Sequence, residues 1–137
     1  MKKIAFLIFS MDIGGTEKVT QELINEYSSR GFDVKLICLK KQGMLLSNLK
    51  IPSENIIQIG SCSKILDFIL LVKRLQKLLR QLKPDYLISM GEWPNIISPF
   101  VKFSGKTVLV EHNTKTFFTE PNFYNLNKFY KLIFNYS

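Results

Sequence analysis

Residues 3–31 read KIAFLIFSMDIGGTEKVTQELINEYSSRG and pass from an apolar run, through two adjacent glycines, into a helical pattern. The run at 3–10 has the length and the apolar character of a strand that is covered on both faces. Residues 16–30 carry one apolar face, formed by Val19, Leu23, Ile24 and Tyr27, and Gly31 is placed as a helix stop. The segment therefore predicts a strand, a connection through Gly14 and Gly15, and a helix.

The rest of the chain repeats this alternation. Further strands are predicted at 33–39, 56–60, 86–90 and 107–111, and further helices at 64–83, 94–103 and 123–136. Pro84 closes the second helix, and Pro94 is placed to start the third. Alternating strands and helices are typical of a parallel sheet with right-handed crossovers. The predicted fold class is therefore α/β, a doubly wound parallel sheet, and residues 1–137 are expected to form a single domain.

Composition limits the classes of protein to consider. The chain has 137 residues, of which 46% are hydrophobic, and this suits one domain with one core. No run approaches the roughly 18 to 20 apolar residues of a membrane-spanning helix. Cys38 and Cys62 have no metal-ligand spacing and suggest no disulfide framework. We therefore expect two free thiols in a reduced, cytoplasmic setting.

The formal net charge of +8 is concentrated in the second predicted helix. Residues 64–83 hold six basic side chains and one acidic one, so they carry five of the eight excess positive charges. Four of these cations, Lys73, Arg74, Lys77 and Arg80, lie beside a broad apolar stripe. One interpretation is a crossover helix with a solvated face, and the other is attraction to anionic lipid, worth about 1 kcal/mol per basic residue. No base-stacking or zinc-finger pattern accompanies the charge, so nucleic acid is not an expected partner.

Small residues follow the first predicted strand. In a doubly wound sheet, ligands bind outside the carboxyl ends of the strands. Gly14, Gly15 and Thr16 lie there, where glycine can adopt positive φ and where the free N–H groups of a helix N-terminus attract anions. These residues predict a diphosphate cradle. The alternative is a tight turn with Thr16 as the N-cap and nothing bound, because the spacing matches neither of the common phosphate-binding glycine motifs.

Polar and aromatic residues follow the fourth and fifth predicted strands. Glu92 and Trp93 are placed to hold a sugar ring between a carboxylate and an aromatic wall, although Trp93 is equally compatible with a core position. His112, the only histidine, can donate a hydrogen bond to a sugar hydroxyl or a phosphate, or act as a general acid or base. The alternative for His112 is a hydrogen bond to a loop carbonyl. No metal is expected, because no second histidine or cysteine cluster accompanies it.

Four short motifs stand at the predicted boundaries of strands and helices: Gly14-Gly15-Thr16-Glu17, Arg30-Gly31, Pro84-Asp85 and Glu111-His112-Asn113. Together they resemble the amino-terminal domain of a glycosyltransferase family 4 enzyme, with Phe32 at a position where that family usually has histidine. The resemblance implies a Rossmann-like domain that forms one half of the two-domain GT-B architecture.

The resemblance also implies roles for individual residues. Gly14, Gly15 and Thr16 would approach the diphosphate of a nucleotide-sugar donor, and His112 would be catalytic, close to the transferred sugar. A pocket for a glycan or lipid-linked acceptor would include Glu92, Trp93, Asn95 and Asn113. Enzymes of the family generally retain the anomeric configuration of the sugar and need no bound metal. No cofactor is implied either, because the nucleotide-sugar is a substrate. A lipid-linked acceptor would give the basic helix a partner in an anionic membrane, at the inner face of the cytoplasmic membrane.

One departure from the family pattern affects the expected activity. The second domain of these enzymes holds most of the donor site and a Glu-x7-Glu motif, and this pattern is absent from the 137 residues. We therefore expect the acceptor-side part of a glycosyltransferase of cell-surface polysaccharide synthesis, incomplete at its carboxyl end. Alone it would be inactive until a missing domain or a partner chain completes the cleft. The alternative is a non-catalytic module on the same fold that binds a nucleotide or a sugar phosphate.

Overall fold

The computed structural model describes residues 1–60 and 64–111, and these residues form a parallel sheet with helices on both faces. The strands are β1 (Lys3–Ile8), β2 (Asp33–Cys38), β3 (Ile56–Gln58), β4 (Tyr86–Met90) and β5 (Lys106–Val110). The α-helices are α1 (Gly15–Ser29), α2 (Ile65–Leu82) and α3 (Glu92–Ile97), and short 3-10 helices lie at Met44–Asn48, Ser53–Asn55 and Ser98–Phe100. The helix predicted at 123–136 lies outside the described residues, as do Cys62, His112 and Asn113.

The order of the strands in the sheet is β3-β2-β1-β4-β5, and every adjacent pair is parallel. The chain first builds outward from β1 through β2 to β3, and then returns to place β4 on the other side of β1. The predicted α/β class and doubly wound sheet are thus confirmed. The strand order reverses between β1 and β4, which is the position where such sheets bind ligands.

Two hydrophobic clusters cover the two faces of the sheet, and this explains why β1 is apolar at nearly every position. Phe6 and Ile8 face the cluster that contains Ile24 of α1, whereas Ala5 and Leu7 face the cluster of α2. Helix α2 contributes its buried residues Leu71, Leu75 and Leu79 to the second cluster. Successive side chains of a strand point to opposite faces, so a strand buried on both sides needs no polar alternation.

The motif Pro84-Asp85 has a structural role at the amino-terminal edge of the sheet. Helix α2 ends at Leu82, and its C-cap, Lys83, adopts the left-handed conformation with φ 48°. The Asp85 carboxylate accepts a hydrogen bond of 2.8 Å from the backbone N–H of Lys3, and the Asp85 N–H donates to the Lys3 carbonyl, also at 2.8 Å. This pair of bonds joins the start of β4 to the start of β1, so the motif positions strands and does not line the cleft described below.

The third helix differs from its prediction at both ends. It was expected at 94–103, but α3 spans Glu92–Ile97 and continues as the 3-10 turn Ser98–Phe100. Pro94 lies inside the first turn, where its missing N–H costs nothing because first-turn N–H groups have no acceptor within the helix. Pro99 then lacks the N–H that a continued α-helix would bond to the Asn95 carbonyl. The chain therefore leaves the helix earlier than the apolar pattern indicates.

Candidate functional site

A cleft of about 380 Å³ opens at the carboxyl ends of β1 and β4. Its lining includes Phe9 after β1, three residues of the first turn of α1, and two at the start of α3, namely Gly15, Thr16, Glu17, Glu92 and Trp93. The cleft thus lies where the strand order reverses, and it joins two of the three places that the sequence indicated. The loops after β1 and β4 meet because parallel strands present their carboxyl ends at one edge of the sheet.

Gly14 and Gly15 differ in their surroundings, and neither adopts the positive φ that glycine allows. Gly14 is the N-cap of α1, and its φ of −171° is extended backbone that any residue can adopt. A Cβ at Gly14 would overlap the carboxylate of Glu17, which folds back over it. A Cβ at Gly15 would meet nothing within 4 Å, so this residue faces the open space of the cleft. Gly14 therefore makes room for Glu17, and Gly15 leaves room for a ligand.

The first turn of α1 presents N–H groups at the cleft. The first bond within the helix runs from the Lys18 N–H to the Gly14 carbonyl, at 3.0 Å, so the N–H groups of the three preceding residues have no acceptor within the helix. Thr16 is the second residue of α1, and the interpretation of Thr16 as the N-cap is therefore wrong. Among the described residues no side chain makes a capping hydrogen bond to this turn. The positive end of the helix dipole is thus directed towards the cleft.

The loop after β2 supports the segment that leads to Gly14. Met11 donates its N–H to the Gln42 carbonyl at 2.9 Å, and Leu45 donates its N–H to the Met11 carbonyl at 3.1 Å. Gly43, between them, has φ 121°, and a Cβ there would overlap the backbone of Met11. Sequence reasoning missed this contact, because a single glycine in a polar loop does not indicate which distant backbone it touches.

The start of α3 supplies a carboxylate and an aromatic ring. Gly91 caps the helix with φ 93°, a conformation that favours glycine, and Glu92 and Trp93 follow it. Trp93 is 45% exposed and lines the cleft, so the interpretation of this ring as a core residue is wrong. Burial raises the pKa of Glu92, and the negative charge of Glu111 raises it further. Glu92 and Trp93 thus both line the cleft after β4, and their contact with a sugar ring stays a prediction.

Asn95 lies behind the cleft and is only 2% exposed. Its Nδ2 donates to the Val110 carbonyl at 3.0 Å, and the Gly91 N–H donates to the same carbonyl at 3.1 Å. Its Oδ1 has no hydrogen-bond partner among the described residues. Asn95 therefore joins α3 to the end of β5, immediately before Glu111, and the expected contact of Asn95 with an acceptor stays a prediction. His112 and Asn113 follow outside the described residues, and so their expected places in the site stay predictions as well.

The four basic residues of α2 lie apart from this cleft. Lys73, Arg74, Lys77 and Arg80 are all exposed, and Arg74 Nη1 lies 3.5 Å from the Ile59 carbonyl. Within residues 1–60 and 64–111, no group of three or more potential ligands could hold a metal ion. The helices of this part of the chain also include none that is long and apolar enough to cross a bilayer.

Comparison with known sequences identifies the family of this chain. The sequence model of Glycosyltransferase Family 4 matches residues 13–137. The chain belongs to glycosyltransferase family 4. No significant match was found among curated protein sequences.

A solved structure similar to this family 4 chain is the crystal structure of a glycosyltransferase from Rickettsia africae ESF-5. The TM-score is 0.59 at 15% sequence identity, and the match covers 85% of this chain and 32% of that one. At this identity the likeness supports the Rossmann-like fold alone. The chain spans about a third of the length of that structure.

Proposed function

We propose that this family 4 chain is the acceptor-side domain of a retaining glycosyltransferase that transfers a sugar from a nucleotide-sugar to a glycan or lipid-linked acceptor. We assign it to cell-surface polysaccharide synthesis at the cytoplasmic side of the membrane. The observation that supports the proposal is one cleft that joins the open backbone of Gly15 to the carboxylate of Glu92 and the exposed ring of Trp93. A second domain or a partner chain would supply the remaining donor contacts.

Four residues of the cleft, and His112, have separate parts in the proposed reaction. The face of Trp93 offers an apolar surface to the acceptor ring, and the oxygens of Glu92 exchange hydrogen bonds with its hydroxyl groups. Gly15 and Thr16 let the diphosphate of the donor approach the first turn of α1. His112 donates a hydrogen bond to the reacting sugar or phosphate and stabilises charge as the sugar-phosphate bond breaks. The proposed reaction uses the nucleotide-sugar as a substrate and needs no cofactor.

A fluorescence titration tests the acceptor role of the cleft directly. Trp93 is the only tryptophan, so its emission should change when a neutral oligosaccharide or a lipid-linked saccharide binds. Glu92→Gln should weaken this binding, whereas Phe100→Ala, which removes an exposed ring outside the cleft lining, should not. A saturable change that needs a higher saccharide concentration in Glu92→Gln, but not in Phe100→Ala, supports the proposal. Unchanged emission with every saccharide tested would contradict it.

The catalytic role of His112 is tested in a protein that joins this chain to a donor domain. His112→Ala should lower kcat by about 10², or about 2.7 kcal/mol at the barrier, because a donor to a developing charge is lost. The chain alone should show no transfer. Full kcat in His112→Ala would show that His112 is an ordinary loop histidine. If the joined protein binds nucleotide-sugar but transfers no sugar, a non-catalytic binding module would be favoured.

We also propose that an anionic membrane surface is a partner of α2. Four apolar side chains in its first two turns, Ile65, Leu66, Ile69 and Leu70, are between 46% and 81% exposed, and the four exposed cations follow them along the helix. Exposed apolar residues beside basic ones are typical of helices that lie on anionic lipid. Because α2 follows β3 in a parallel sheet, its apolar end lies at the same edge as the cleft, where a lipid-linked acceptor would enter.

Vesicle sedimentation tests this surface. Replacing Lys73, Arg74, Lys77 and Arg80 by glutamine should weaken binding to anionic vesicles by up to about 4 kcal/mol, and added salt should weaken binding of the native chain. The matched control replaces by glutamine four exposed basic residues outside α2, and so removes the same total charge. They are Lys2, Lys18, Lys50 and Lys106. Equal losses in the two variants, or equal binding to neutral vesicles, would leave α2 as an ordinary solvated crossover helix.

A further inference from the structure

The charge of the cleft lining is negative. The lining holds two carboxylates, Glu17 and Glu92, and none of the described residues that line it is a lysine or an arginine. A third carboxylate, Glu111, is close enough to raise the pKa of Glu92. A site with this lining suits ligands that donate hydrogen bonds from hydroxyl groups, and it repels free anions.

Glu17 occupies a distinctive position among these carboxylates. It is the third residue of α1, and its carboxylate folds back over Gly14, the N-cap. A negative charge at this position is favoured by the positive end of the helix. Glu17 therefore lies where a phosphate group would also be attracted, and the missing side chain of Gly14 provides the space for it.

We propose that Glu17 is a specificity-determining residue that keeps free phosphate-type anions from the first turn of α1. The inference rests on the proposed function and deepens it. In the free chain the Glu17 carboxylate interacts with the helix end, and the cleft takes the neutral, hydroxyl-bearing acceptor. The diphosphate of a nucleotide-sugar reaches Gly15 only when contacts elsewhere on the donor compensate for displacing Glu17. Inorganic phosphate and pyrophosphate have no such contacts, so they bind weakly.

The experiment compares two variants with the same net charge. Inorganic pyrophosphate is titrated into the native chain, into Glu17→Gln and into Glu22→Gln, and the dissociation constant is read from the NMR shifts of the Gly15 and Thr16 amides. Reading these two amides separates the cleft from pyrophosphate bound at surface lysines. Glu22 is an exposed residue of the same helix outside the cleft lining, so it controls for overall charge.

Glu17→Gln should bind pyrophosphate about tenfold more tightly, since one like charge is removed within a few ångströms of the anion. Glu22→Gln should bind as the native chain does. Glu17→Ala guards against a change of fold in the glutamine variant and should show the same gain. Unchanged affinity in both Glu17 variants, or an equal gain in Glu22→Gln, would overturn the inference.

Failure of the role of Glu17 can be distinguished from failure of the proposed function. The pyrophosphate titration needs neither sugar transfer nor an acceptor, whereas the Trp93 titration with saccharides tests acceptor binding alone. A chain that binds saccharide but shows no gain in Glu17→Gln would refute the role of Glu17 and leave the acceptor site intact. A gain in Glu17→Gln without saccharide binding would refute the acceptor role instead.

Discussion

Replacing Gly43 by alanine should lower the free energy of unfolding by about 3 kcal/mol. Gly43 has φ 121° and ψ 151°, a region of backbone conformation that is almost confined to glycine and that costs other residues about 1–3 kcal/mol. The added Cβ would also overlap the Met11 backbone, which makes hydrogen bonds of 2.9 Å to Gln42 and 3.1 Å to Leu45. Each of these bonds contributes about 1 kcal/mol, and the overlap strains both.

Urea unfolding followed by far-UV circular dichroism measures this loss. Gly15→Ala is the matched control, because a Cβ at Gly15 meets nothing within 4 Å and the residue lies in a helix, where alanine is the better former. Its free energy of unfolding should change by less than about 1 kcal/mol. A loss below about 1 kcal/mol in Gly43→Ala, or equal losses in the two variants, would refute the assignment of Gly43 as the contact that holds the loop after β2 against Met11.

Two further predictions concern titrating groups. Burial and the charge of Glu111 raise the folded-state pKa of Glu92, so the stability that Glu92 contributes is present below its unfolded pKa and is lost as pH rises through the folded value. Glu92→Gln should therefore gain stability relative to the native chain as pH rises through the folded-state pKa of Glu92, as measured by urea unfolding at a series of pH values. A stability difference between the two chains that does not change with pH would contradict the raised pKa. Burial raises the pKa of the Cys38 thiol to about 12. In a Cys62→Ser variant, a thiol reagent at pH 8 should therefore react with Cys38 only after the chain unfolds. Rapid reaction of the folded chain would contradict this prediction, because it would show that the thiol is accessible.

Much of the fold follows from local patterns. The apolar runs, the helical faces and the glycines and prolines at their ends predicted α1, α2 and the five strands of the described residues to within a few residues. Burial on both faces of a parallel sheet leaves a distinct apolar pattern. Helix α3 was misplaced because its start depends on the positive φ of Gly91 and its end on Pro99, and neither alters the apolar periodicity. The 3-10 turns at Met44–Asn48 and Ser53–Asn55 were not predicted, since they are too short to show a period.

For the site, the sequence determined which loops carry polar and small residues, and the parallel topology determined that Gly15, Glu92 and Trp93 meet at one edge of the sheet. Only the tertiary structure decided whether each side chain is exposed or buried and what it contacts. It placed Trp93 in the open cleft, buried Asn95 against the end of β5, and folded Glu17 over Gly14. The physical reason is that the exposure, the hydrogen-bond partners and the nearby charges of a side chain depend on segments far apart in the chain. Glu111, which raises the pKa of Glu92, is one example. Local sequence patterns do not show which distant segments come into contact.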